Sequence, residues 1–180
     1  IMKDDKIFIT SATRTAVATI GKTLKNISAE KLGSCVIDNL LKKSNIDPDE
    51  IDEIIMGQVL TGGAGQNPAR QAAIKSGIPK EKPAFVVNQV CGSGIRSIAS
   101  GYQSIKSKDS KIVIAGGQES MSLAPHAIHL RDGKKLGDKE LIDTMIRDGL
   151  WDAFHGYHMG VTAENVAEKF QVTREEQDRF

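Results

Sequence analysis

Cysteine is scarce: Cys35 and Cys91 are the only two in 180 residues. That excludes a disulfide framework and fits a reducing compartment, so the expected location is cytoplasmic. An excess of charge is also missing. The 24 basic side chains stand against 23 acidic ones, which removes a polyanion-binding field and with it nucleic acid as an expected partner. No apolar run is long enough to cross a bilayer, and Asp4, Asp5 and Lys6 are unlike the start of a secretory leader, so no membrane role is expected. Internal repeats and low-complexity tracts are absent too. A chain of this length can form one large domain, burying about 70% of the surface of its unfolded form.

What is present centres on residues 85–97. Phe85-Val86-Val87 is a β-rich apolar run, Cys91-Gly92-Ser93-Gly94 is a turn, and Ile95, Ile98, Ala99, Tyr102 and Ile105 then recur at helical spacing. A thiol therefore stands where a strand hands over to a helix. The unpaired N–H groups and dipole of a helix start favour an anion, and the thiolate is the form of cysteine that attacks carbonyls. Gly92 and Gly94 clear the approach and tolerate unusual backbone angles. An N–H near Cys91 can hold a developing oxyanion. The plain alternative is a small buried cysteine. A second is a dinucleotide loop, Gly92-x-Gly94-x-x-Ser97 with Glu119 as the ribose acid; Ser97 in place of the third glycine, and a thiol before the first, make it a poor match.

Around this stretch, strands alternate with helical patterns. Lys6 to Ala12 is expected as a first strand. Ser28 can cap a helix to about Ser44, with Leu32, Val36, Ile37, Leu40 and Leu41 on one face and Cys35 packed beside them. Asp47-Pro48 breaks the pattern before a strand over Glu53 to Gln58. Asn67-Pro68 opens a short helix that ends at Gly77. The Gly62-Gly63-Ala64-Gly65 loop before it lacks the lysine and hydroxyl of a phosphate-binding loop and reads as a packing turn. Lys111 to Gly116 forms another strand. Such alternation implies an α/β fold with a mostly parallel sheet covered by helices on both faces, and Cys91 at the carboxyl ends of its strands.

From Glu119 to Gly160 the alternation lapses, and a stretch that long without period is functional or disordered; its apolar and aromatic content favours the first. Two His-x-x-His pairs, His126/His129 and His155/His158, invite a metal reading, but Pro125 and Gly156 spoil a shared helix face and no further ligand is suitably spaced; no metal is expected. Thr162 is expected to cap a helix to about Phe170, and Thr173 with Glu176 to form a capping box. The chain stops two turns into that last helix, which reads as a cut within an element.

Four motifs carry a resemblance. Asn88-Gln89-Val90-Cys91-Gly92-Ser93-Gly94, Gly65-Gln66-Asn67-Pro68-Ala69-Arg70-Gln71-Ala72-Ala73, Ala115-Gly116-Gly117-Gln118-Glu119-Ser120-Met121-Ser122 and Tyr157-His158-Met159-Gly160-Val161-Thr162-Ala163-Glu164-Asn165 resemble thiolases, in that family's order and over essentially the whole chain. The closest likeness is to the acetyl-CoA acetyltransferase (acetoacetyl-CoA thiolase) branch. Ala16-Val17-Ala18-Thr19-Ile20-Gly21 departs from the Gly- and Phe-containing turn usual there. A complete thiolase is about twice as long, so the resemblance implies an N-terminal half: an α/β domain over residues 1–118, a loop domain over 119–160 and a truncated helical segment over 161–180.

The resemblance implies a reversible condensation of two acetyl-CoA to acetoacetyl-CoA and CoA, through an acyl group carried on Cys91. It places Leu150, His158 and Met159 against coenzyme A or its acyl group, with CoA thioesters as substrates and no separate cofactor. The activating histidine, the second cysteine and an asparagine-bound water of the family all belong to the absent half. Tetramer contacts are implied for the loop domain. Two alternatives stand beside this reading: a ketoacyl-synthase-like condensing enzyme, and a truncated chain that only binds CoA or a thiolase partner. The 180-residue chain alone is expected to leave a broad apolar surface uncovered and to show no turnover.

Overall fold

The computed structural model describes residues 6–131, 133 and 135–180; Asp4 and Asp5 lie outside them. The chain divides into two compact units, one running to Pro125 and one comprising His126–Phe180.

The first unit is built on three parallel strands, β1 (Glu53–Gly57), β2 (Ala84–Val87) and β3 (Val113–Gly117), in the order β2-β1-β3. Helix α1 (Ala29–Ser44) precedes β1, and α2 (Pro68–Lys75) and α3 (Ser93–Lys106) join the strands in turn. The period-2 alternation of strand side chains decides which helix covers which face. Ile54, Met56 and Ile114 join Ile37 and Leu41 of α1 and Ala69, Ala72 and Ala73 of α2 in one buried cluster. The intervening positions look the other way: a Cβ on Gly57 would strike Ser93, and one on Gly101 would meet Val113 and Ala115. Helices therefore lie on both faces, as the alternation implied.

Each helix uses its small residues to come close. Gly33 of α1 lies so near α2 and Gln118 that a Cβ there would approach the Ala72 Cβ to 3.3 Å. Ser28 occupies the N-cap of α1, but its hydroxyl donates to the Glu30 carboxylate at 2.6 Å and makes no cap bond. Burial raises the Glu30 carboxyl, yet the hydrogen bonds from Lys75 and Ser28 outweigh that and hold it below the usual range. Asn67 caps α2 in the left-handed region, accepting from Arg70 N–H at 3.1 Å, with Pro68 at the first helical position. Gln71 donates to the carbonyls of Ala64 and Gln66, so the glycine-rich loop is tied to that helix. Cys35 is exposed, not packed beside the α1 stripe as expected.

Lys6 to Ala12 does not form the expected first strand. A strand requires a neighbour's peptide groups, and among the described residues none pairs with this segment. Instead Ile7 to Ala12 line a cavity of about 690 Å³ whose other lining includes the edge strand β3 together with Tyr102 and Ile105. Local β preference is present; the ladder partner is not.

The second unit carries a two-residue antiparallel pair, β4 (His126–Ala127) with β5 (Ile142–Asp143), a π-helical turn over Ile146–Leu150, and helices α4 (Met159–Phe170) and α5 (Arg174–Arg179). Thr173 and Glu176 form the expected capping box on α5. Helix α4 begins earlier than expected: His158, not Thr162, is its N-cap, and its Nδ1 accepts from Gly160 N–H at 3.0 Å. No helix among the described residues is long and apolar enough to cross a membrane.

Candidate active site

Cys91 stands between the end of β2 at Val87 and the start of α3 at Ser93, on the side of the sheet where the parallel strands end. It is exposed and free. The close approach of α3 to the sheet puts it there. A Cβ on Gly57 would lie 2.5 Å from the Ser93 carbonyl carbon and 2.7 Å from Gly94 N, so only a bare backbone at the end of β1 admits the first turn of α3. Gly117, the register partner of Gly57 on β3, would place a Cβ 3.5 Å from Gly94 Cα. Ser97 completes the seam, its hydroxyl within 2.6 Å of the carbonyls of both Gly94 and Gly116.

The unusual backbone of this loop is not at the glycines. Gly92 is in the ordinary helical region, and Gly94 lies in the first turn of the helix with open space where a Cβ would point. The left-handed residue is Val90, at φ 48°, a conformation rare for a β-branched side chain. Side chains grip both of its peptides. Asn88 Oδ1 accepts from Val90 N–H at 2.9 Å, and Ser93 Oγ donates to the Val90 carbonyl at 2.6 Å while accepting from Gln89 N–H at 2.8 Å. The amide nitrogen of Asn88 lies 3.5 Å from the Val59 carbonyl. Val59 in turn donates its N–H to Glu119 at 2.8 Å. Glu119, weighed above as a ribose ligand, is thus occupied with the backbone of Val59 and Leu60. Beside it, Gln118 donates to Gln58 at 2.9 Å and Gln58 to the Leu60 carbonyl at 2.9 Å, a buried amide pair fixing the strand ends.

The other expected site residues lie in the second unit. Leu150 ends the π-helical turn, His158 is exposed at the start of α4, and Met159 is half-buried in its first turn. An antiparallel bridge joins Trp151 to His158, which sets Leu150 and Met159 one residue outside it on either side. His158 accepts on Nδ1, so its neutral ring carries the proton on Nε2 and keeps that donor. Asp152 receives the N–H groups of Phe154 and His155, which hold its carboxyl below the usual range. The four histidines do not share a ligand set. His126 lies 3.9 Å from Asp143, His155 lies 3.1 Å from Asp152, the His129 carbonyl accepts from Lys139, and His158 is the cap. No cluster of three potential metal ligands occurs among the described residues.

Sequence reasoning singled out Cys91 but passed over Asn88, Ser93, Gly57 and the structural use of Glu119. Three of these sit within the quoted motifs, and a motif read for its nucleophile says little about who holds the loop.

The model of the thiolase N-terminal domain matches residues 7–180. An acetyl-CoA acetyltransferase of Rhizobium meliloti (strain 1021) is 56% identical over 179 residues, covering 99% of this chain and 46% of that protein. A cytosolic acetyl-CoA acetyltransferase of Rattus norvegicus is 49% identical over 175 residues, covering 97% and 44%. Among solved structures, the Acat5 thiolase of Ascaris suum in complex with coenzyme A superposes with a TM-score of 0.88 at 40% identity, over 93% of this chain and 44% of that one. The chain thus spans somewhat less than half the length of these relatives.

Proposed function

The chain belongs to the thiolase family through its N-terminal domain, and from that premise we propose that it is the nucleophile-bearing half of an acetyl-CoA acetyltransferase. The observation that carries this is Cys91, an exposed thiol between the end of a parallel strand and a helix start. The chemistry divides one difficult step into two. The Cys91 thiolate attacks the acetyl-CoA carbonyl, the carbon–sulfur bond to CoA breaks, and CoA leaves as its thiolate. A second acetyl-CoA, having lost a proton from its methyl group, attacks the acetyl-Cys91 carbonyl. A carbon–carbon bond forms, Cys91 is released as thiolate, and acetoacetyl-CoA departs. Thiolysis is the reverse, and the kinetics are ping-pong.

On this reading Leu150, His158 and Met159 border the pantetheine and acyl end of the substrate, with 119–160 as the loop domain and 161–180 as the start of the helical segment that follows. The thiol-activating histidine, the second cysteine and the asparagine-bound water come from sequence equivalent to the relatives' C-terminal half. The assembly is a cytoplasmic homotetramer using CoA thioesters as substrates without a separate cofactor, a statement supported by the family resemblance. Turnover needs both halves, because groups acting as one catalytic unit do not leave proportionate fractions of activity.

The test is to incubate the complete enzyme with acetyl-CoA and map the adduct by peptide mass spectrometry. Acetyl is expected on Cys91. Cys35, also exposed, is the internal control for indiscriminate acylation. Acetyl on Cys35 alone, with Cys91→Ala still active, would sink the assignment.

A further inference from the structure

We propose that Ser93 is the positioning residue for Cys91, acting with Asn88 by holding Val90 in the left-handed conformation. The inference rests on the reading of Cys91 as the acylated residue and concerns what aims it. Val90 is β-branched, has φ 48° and is 47% exposed, so neither its own preference nor burial of its side chain accounts for the conformation. Backbone in this region persists only where the surroundings impose it. Here three side-chain hydrogen bonds converge on three consecutive peptides, beside the backbone bond that Ser93 N–H gives the Val90 carbonyl at 3.1 Å. Asn88 Oδ1 takes the Val90 N–H, while Ser93 Oγ takes the Gln89 N–H and gives its own proton to the Val90 carbonyl. Ser93 is 4% exposed, so water does not compete for those bonds.

The peptide whose oxygen Ser93 grips is the one that carries the Cys91 N–H. All peptides here are trans, and in a trans peptide N–H and C=O point in opposite directions. Fixing the Val90 oxygen against Ser93 therefore fixes the direction of the Cys91 N–H and the course of the backbone from which its thiol springs. The Ser93 hydroxyl is buried and engaged with the loop backbone on both its donor and acceptor sides. Its contribution is to the alignment of the attack, which belongs to the acylation rate and not to substrate affinity.

The test uses the complete enzyme and follows acetylation of Cys91 by rapid quench and peptide mapping, with KM for acetyl-CoA measured alongside. Ser93→Ala is expected to slow acetyl-enzyme formation by about ten- to a hundredfold, the scale of a small misalignment, with KM within about twofold of the parent. Adding Val90→Gly to Ser93→Ala should recover several-fold of the loss, because glycine adopts φ 48° without the clamp; a purely structural lesion gives no reason for a residue outside the core to rescue kcat alone. Asn88→Ala should show the same split of kcat from KM, and it carries the test if Ser93→Ala fails to fold. Acetylation of Cys91 at the parental rate in both single variants, a loss confined to KM, or no recovery with Val90→Gly would overturn the assignment of Ser93 while leaving that of Cys91 intact. Acetyl found on another residue of the parent would instead overturn the Cys91 reading itself.

Discussion

Replacing Gly57 by alanine tests the central geometric argument. The new Cβ would lie 2.5 Å from the Ser93 carbonyl carbon and 2.6 Å from its oxygen, where ordinary contact begins at 3.4 Å. The obstructing atoms are backbone, so no rotamer change relieves the clash; the first turn of α3 has to lift from the sheet by about 1 Å. Overpacking of this kind costs about 1–3 kcal/mol, against which the lost flexibility of glycine returns about 0.5–1 kcal/mol. A net loss of about 1 kcal/mol corresponds to a drop in Tm of roughly 2–4 °C for a unit of 150–250 residues. Gly101→Ala is the control on the same helix. Its Cβ would meet a side-chain atom, Val113 Cγ1, at 3.1 Å, which a few tenths of an ångström relieves, and alanine is favoured by about 1 kcal/mol inside a helix. Calorimetry or fluorimetry on the complete protein measures both. Gly57→Ala is expected to be clearly the less stable and, because the lift carries Cys91 with it, to acylate about a hundredfold more slowly. A Gly57→Ala protein as stable as the parent, or more stable than Gly101→Ala, would refute the reasoning.

Two further outcomes are expected. Met159→Ala should shift the ratio of kcat/KM for acetoacetyl-CoA over a longer 3-ketoacyl-CoA by about tenfold while leaving acylation of Cys91 possible; an unchanged ratio counts against placing Met159 at the acyl end. Asp52 accepts the N–H groups of Ile112 and Lys111, at 3.0 and 2.6 Å, and these bonds lower its carboxyl pKa. Its contribution to stability is therefore complete above the ordinary aspartate value of about 3.9 and fades as pH falls through that value towards the folded one. The parent should lose stability between pH 5 and pH 2, the window of about one to two units on either side, more steeply than Asp52→Asn, as followed by acid titration of Tm; parallel curves would dismiss the role of Asp52.

Those features that depend on near neighbours in sequence were legible before the structure. Asn67-Pro68 opens a helix because cap and first-turn requirements are local, and Thr173 with Glu176 closes its box for the same reason. The junction at Cys91 shows itself as a change from a β-rich run to a helical period. Features that depend on distant partners did not show. Lys6 to Ala12 has the composition of a strand, but a ladder is made by two segments. Gly57 looks like the end of a strand; that it must be bare follows only from where Ser93 comes to lie. At Val90 residue type points the wrong way, since glycines stand beside it and the β-branched residue takes the positive φ. Resemblance points His158 at substrate, while its service as the α4 cap does not show in the sequence because imidazole is not among the usual capping groups.

Helix α3 inverts the usual rule for an amphipathic helix, and the inversion ties the position of the thiol to the surface the chain exposes. Its sheet-facing side is Ser93, Ser97 and Gly101, all buried, while Ile95, at 78% exposed, leads the apolar stripe outward with Ile98 and Tyr102. Larger residues towards the sheet would bury more apolar area, but they would hold the helix away from Gly57 and Gly117 and carry Cys91 off the strand ends. Small side chains there permit the close approach; Ser97 brings its one hydroxyl proton within reach of the Gly94 and Gly116 carbonyls, and Ser93 Oγ adds a second donor to the Val90 carbonyl, which also accepts Ser93 N–H. The hydrophobic residues are left for the opposite face. A contiguous exposed stripe of that kind marks an interface or an aggregation hazard. The geometry that places the nucleophile is thus the same geometry that leaves the apolar stripe of α3 exposed.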